Sequence, residues 1–81
     1  MEPLNQKINV IARFNSAGTV YPIYIELSGN LIKLKKPDAI WKERVGRNLI
    51  TRFSSSDGAN RYILAFNHET LEWKLEVIID E

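Results

Sequence analysis

The chain predicts a single small all-β domain, a meander of five to six antiparallel strands. Three observations carry that expectation. Apolar and polar residues alternate with a period of two in successive runs, most clearly where Leu71, Trp73, Leu75, Val77 and Ile79 oppose Glu72, Lys74, Glu76 and Asp80. Turn-forming clusters separate these runs: Asn15-Ser16-Ala17-Gly18, Ser28-Gly29-Asn30 and Ser54-Ser55-Ser56-Asp57-Gly58. No segment holds a helical period long enough for a stable helix. With 81 residues, 44% of them hydrophobic, and no cysteine, the chain can build one modest core held by packing and no disulfide.

The elements follow in order. Lys7–Phe14 is the first strand, with Ile8, Val10, Ala12 and Phe14 on one face and Ile11 interrupting the polar one. Thr19–Leu27 is the second, with Tyr21, Ile23, Ile25 and Leu27 together; Pro22 cannot donate to a ladder, so an edge or a bulge is expected there. Gly29-Asn30 then reads as the centre of a tight hairpin into Leu31–Lys35, which ends at Lys36-Pro37. Segment 38–46 admits two readings. Asp38 and Gly46 could cap one short helical turn, or Trp41, Glu43 and Val45 could alternate with Ile40, Lys42 and Arg44 in extended chain; the extended form is preferred because so short a helix is marginal. Asn48–Ser54 is the next strand, and Asp57-Gly58 has the chemistry of a type I′ turn. Arg61–Ile79 closes the chain as a hairpin around Asn67-His68-Glu69-Thr70. The expected core is Val10, Ala12, Phe14, Ile23, Ile25, Ile32, Leu34, Leu64, Phe66, Trp73 and Leu75. Such a meander is expected to close into a small SH3-like or OB-like barrel or roll.

The run Val10-Ile11-Ala12-Arg13-Phe14, then Gly18 and Pro22, together with the late Tyr62…Leu64…Phe66…Trp73 hairpin, resembles a family of short bacterial all-β proteins. The resemblance spans most of the chain and implies the fold, but these are mainly core-forming residues and it implies no activity. Lys36-Pro37-Asp38-Ala39, before Ile40, departs from that pattern.

Chemistry-bearing motifs are sparse. His68 is the only histidine and lies in a turn, where a solvated side chain is the ordinary outcome; a triad with Ser54, Ser55, Ser56 or Asp57 would need them brought to it. One histidine without cysteine gives no metal-ligand spacing, and neither phosphate-loop glycine motif is present, so no cofactor is expected. There is no apolar run of membrane-spanning length and no secretory pattern at the start, which predicts a cytoplasmic, non-enzymatic domain.

The net charge of +1 hides an asymmetry. Between Leu31 and Arg52, seven cations face only Asp38 and Glu43, a net +5, whereas Phe66 to Glu81 carries a net −4. These segments either neutralise each other across strands or leave a basic surface for an anionic partner. Lys33, Lys35, Lys36, Trp41, Lys42, Arg44, Arg47 and Arg52 form the basic and aromatic set that single-stranded nucleic acid would require. The competing expectation, which we favour, is a protein interface. Tyr21, Tyr24, Leu31, Ile63 and Ile78 exceed what a one-faced sheet needs, and could form a homo-oligomer seam, a peptide groove or an extended sheet edge.

Overall fold

A computed structural model describes residues 2–81, with side chains from residue 4. It contains eight strands: β1 (Glu2–Lys7), β2 (Asn9–Phe14), β3 (Val20–Leu27), β4 (Asn30–Lys33), β5 (Ala39–Val45), β6 (Asn48–Ser56), β7 (Asn60–Asn67) and β8 (Trp73–Asp80). All pairings are antiparallel. A five-stranded sheet runs β1-β8-β7-β6-β5 and a three-stranded sheet runs β2-β3-β4. The all-β class is as the alternation implies, and among the described residues there is no helix. No closed barrel is found: the strands divide between two sheets.

Backbone hydrogen bonds join the sheets at two seams. The expected first strand breaks at Ile8, whose N–H donates to the Trp73 carbonyl at 3.1 Å, so that Lys7 ends β1 in one sheet and Asn9 begins β2 in the other. On the opposite side, Leu34–Asp38 crosses between sheets. Leu34 donates to Ile23 of β3, while Lys35 and Asp38 donate to Ser56 and Ser54 of β6. Proline at position 37 needs no donor, which suits a segment that is extended without belonging to a ladder.

The core fills the space between the sheets. Ile25, Leu34, Tyr62, Leu64 and Leu75 form one buried cluster; Val20, Phe53 and Phe66 form a second, and Trp73 packs against both. Burying such side chains is worth roughly 1.5–3 kcal/mol each and is the main source of stability in a chain without cross-links.

Two β-bulges redistribute the expected faces. In β3, Ile11 pairs with Tyr24 but Ala12 with Pro22, leaving Ile23 as the extra residue. Val20 and Pro22 are therefore buried beside Ile25, and Ile23, expected in the core, is only half-buried. In β8, Leu64 pairs with Leu75 but Ile63 with Val77, so Ile78 rather than Val77 packs against the core. One inserted residue exchanges the two faces beyond it, because side chains alternate with period two. Phe14 is also displaced from its expected place: it is 63% exposed and meets Phe66 edge-on, 6.4 Å between ring centres.

Segment 38–46 is extended, as preferred. Val45 pairs with Asn48 across Gly46-Arg47, and Gly46 has φ +60°, which matches a two-residue turn that begins with glycine. The β3–β4 hairpin is centred one residue earlier than expected. Ser28 and Gly29 take positive φ, 52° and 79°, between the paired Leu27 and Asn30.

Candidate functional site

The charge of the 31–52 segment is divided by the fold into three places. Arg52 is the member that is neutralised. Its Nε donates to Glu76 at 2.8 Å and its Nη1 to Glu43 at 2.8 Å, and these carboxylates, Glu76 first, raise its pKa further above the ordinary guanidinium value. Arg52 was expected on an open anionic-partner surface; it is instead a cross-strand tie on the outer face of the large sheet. Its strand register there places Trp41, Ala65 and Arg52 in one row. The acidic C-terminal segment is otherwise held by cations outside 31–52: Glu72 by Lys7 at 3.0 Å and Glu81 by Arg61 at 3.0 Å.

The second place is β5. All seven of its residues are exposed, among them Ile40, Trp41 and Val45 at 45%, 42% and 50%. It pairs only with β6, so its other edge is open. Asp38 N–H donates to the Ser54 carbonyl, and the register runs from Ala39 opposite Ser54 to Val45 opposite Asn48. By antiparallel alternation, Ala39, Trp41, Glu43 and Val45 then address β6, while the peptide groups of Ile40, Lys42 and Arg44 point out of the sheet edge. The side chains of Lys42 and Arg44 share a face with Ile40, and Trp41 lies on the opposite one. Lys42, Arg44 and Arg47 make no ion pair among the described residues.

The third place is a groove of ≈ 470 Å³ between β3 and the crossing segment, walled by Arg13, Tyr21, Ile23, Lys33, Lys35 and Lys36. None of its four cations is in an ion pair among the described residues, and no carboxylate lines it. Arg13 is the member that sequence reasoning missed. It lies in β2, and its pairing with Tyr21 carries it to the outer face of the small sheet, beside the row of Ile11, Tyr24 and Lys33. Only knowledge of the β2–β3 register could have found it.

The residues expected at a protein interface are divided between the two sheets. Tyr21, Tyr24 and the exposed Leu31 belong to the outer face of the small sheet, and Ile63 to the outer face of the large one. Ile78 is corrected: the β8 bulge turns it against Tyr62 and the core.

His68 has its Nε2 2.7 Å from the Thr51 hydroxyl and its ring 4.9 Å edge-on from Phe66. Of the serines, Ser54 and Ser56 are engaged elsewhere and Ser55 is fully buried. Ser54 accepts from Arg61, Ser56 bonds Glu81, and the Asp57 carboxylate accepts from Ala59, Asn60 and Tyr62. No group of three or more His, Cys, Asp or Glu placed to hold a metal occurs among the described residues.

Compared with known proteins, the chain matches no family model, no curated protein and no solved structure. Function is therefore read from geometry and chemistry alone.

Proposed function

We propose that this chain is a non-catalytic interaction module whose open β5 edge receives an extended, acidic segment of a partner protein. The observation that carries this is β5 itself: a seven-residue edge strand, exposed throughout, with outward peptide groups at Ile40, Lys42 and Arg44. Long open edges are normally blunted by proline, bulges or covering chain, because they invite strand addition. β5 has no proline and no register shift against β6. Its lysine and arginine guard it against indiscriminate pairing and favour a partner with carboxylates on the facing positions. A second copy is a poorer occupant: two-fold pairing centred on β5 sets Lys42 against Lys42 of that copy. The non-catalytic reading is supported by the separation of His68 from Ser54–Asp57, and the wider reading of the fold as an opened roll by the seams at Ile8 and Leu34–Asp38. A nucleic-acid reading draws on a different feature, the basic groove.

The test uses a synthetic peptide of alternating valine and glutamate, titrated against the full chain while Trp41 and Trp73 fluorescence is followed. Binding is expected for the native chain and is lost in Lys42→Pro, which removes an outward N–H without removing a bond to β6. Binding that survives Lys42→Pro with native circular dichroism refutes strand addition. Light scattering that returns twice the 9.4 kDa chain mass reassigns the edge to a second copy.

A further inference from the structure

We infer that the groove between β3 and Leu34–Asp38 is a second binding site, for single-stranded nucleic acid. It is on the small sheet, separate from the β5 edge, and does not depend on the reading of that edge.

The inference begins with charge. Arg13 of β2 and the run of Lys33, Lys35 and Lys36 come from two separate parts of the chain and line one groove with no carboxylate in its walls. Four uncompensated cations around ≈ 470 Å³ repel each other, and nothing in the groove offsets that cost. Elsewhere Arg52 is tied by Glu43 and Glu76 and Arg61 by Asp38 and Glu81, whereas the unpaired Lys42, Arg44 and Arg47 are spread along the exposed β5 hairpin. What sets this group apart is that its unpaired cations line one concave groove. The one carboxylate on that sheet face, Glu26, bonds the Asn9 side chain at 3.1 Å and is not in the groove.

The walls select among anions. Tyr21, Ile23 and Pro37 give the groove apolar and aromatic surface between the charges. Tyr24 lies on the same sheet face, paired with Lys33 on one side and Ile11 on the other. A sheet face that presents tyrosines flanked by cations suits a chain of alternating phosphates and flat bases, since each base can stack while each phosphate meets a lysine or arginine. A phosphorylated peptide would use the charges and leave the tyrosines idle. The β3 bulge is what makes the arrangement work, because it turns Tyr21 and Tyr24 outward together although they are three positions apart.

The experiment is fluorescence anisotropy of a labelled oligothymidylate of about 10 nucleotides with the full chain, over a salt series. With about four phosphate contacts, the single-strand salt slope of about −0.7 per contact weakens binding about 50-fold between about 50 and 200 mM salt. Lys33→Gln/Lys36→Gln leaves about two contacts and cuts that ratio to about 7-fold. Tyr21→Leu weakens binding about 5-fold or more at fixed salt, and Tyr21→Phe restores it. No binding at low salt overturns the inference. So does an equal loss in Lys42→Gln/Arg44→Gln, which would reveal general polyanion attraction, or a phosphoserine peptide that competes equally with no effect of Tyr21→Leu. Should a variant not fold, amide chemical shifts of the native chain decide: changes clustered at Arg13, Tyr21, Lys33, Lys35 and Lys36 support the site, and changes elsewhere overturn it.

Discussion

The turn between β6 and β7 hangs on one carboxylate, and removing it makes a sharp prediction. Asp57 accepts from the N–H groups of Ala59 and Asn60 at 2.8 and 2.7 Å, and from the Tyr62 hydroxyl at 2.8 Å. Tyr62 is 2% exposed and belongs to the main core cluster. Asp57→Ala therefore leaves a buried hydroxyl without a partner, which costs about 1–3 kcal/mol, and also frees two turn amides to water. We expect a total loss of about 3 kcal/mol. A domain of this size has roughly 4–12 kcal/mol in hand, so the midpoint should drop by roughly 12–24 °C. Tyr62→Phe alone should cost about 1 kcal/mol, and the double variant should fall short of the summed losses by about 1–2 kcal/mol. Urea unfolding followed by tryptophan fluorescence measures all four corners of the cycle. Strict additivity, or a loss below about 0.5 kcal/mol for Asp57→Ala, would refute the reasoning.

The same pair sets two pH limits. The backbone hydrogen bond from Asn60 is the main cause that lowers the Asp57 pKa, and burial only partly opposes it. A carboxylate lowered in the folded state stabilises fully above its unfolded value of about 3.9, and that contribution is lost as pH falls through the folded value. Burial first, and then the hydrogen bond to Asp57, raise the Tyr62 pKa. A phenol raised in the folded state contributes fully below its unfolded value of about 10, and this is lost as pH rises through the folded one. Tyr62→Phe should remove the alkaline loss that this phenol causes and leave the acid limb standing.

Two further outcomes test the packing. Ser55 is fully buried and its hydroxyl has no partner, so Ser55→Ala should raise stability by about 1 kcal/mol in the same urea assay. Phe53 is fully buried with its ring 5.6 Å from that of Trp73, whereas Phe14 is mostly exposed; Phe53→Ala should cost about 3–5 kcal/mol and Phe14→Ala under about 1 kcal/mol, by thermal unfolding.

Much of the fold was legible because strands announce themselves by alternation and turns by glycine and asparagine. Strands β2 to β8 lie near where the pattern put them, although β6 runs on through Ser55 and Ser56, expected in the turn, and Leu71 falls outside β8; Leu64, Phe66, Leu75, Ile25 and Leu34 are buried as expected. The failures share a cause. A bulge adds one residue without any mark in hydrophobicity, so Ile23 and Ile78 each came out on the wrong face. Pro22 was a partial signal, since it required an edge or a bulge and sits next to the bulged residue. β1 was missed because Pro3, Asn5 and Gln6 lack alternation; its place comes from pairing with β8, not from its own pattern. The candidate surfaces were less legible still. Charge counting found the lysines, but could not foresee that Arg52 is consumed by Glu43 and Glu76 or that Arg13 joins Lys33 from another strand. Those are facts of register, and register is a property of pairs of strands.

The crossing segment Leu34–Asp38 has a double duty. Its backbone staples one sheet to the other through Ile23, Ser54 and Ser56, while Lys35 and Lys36 on the same few residues form a wall of the basic groove. Whatever anion grips those lysines therefore also tightens the staple. Occupancy and heat resistance should rise together, and loosening the strap at Pro37 should weaken both at once.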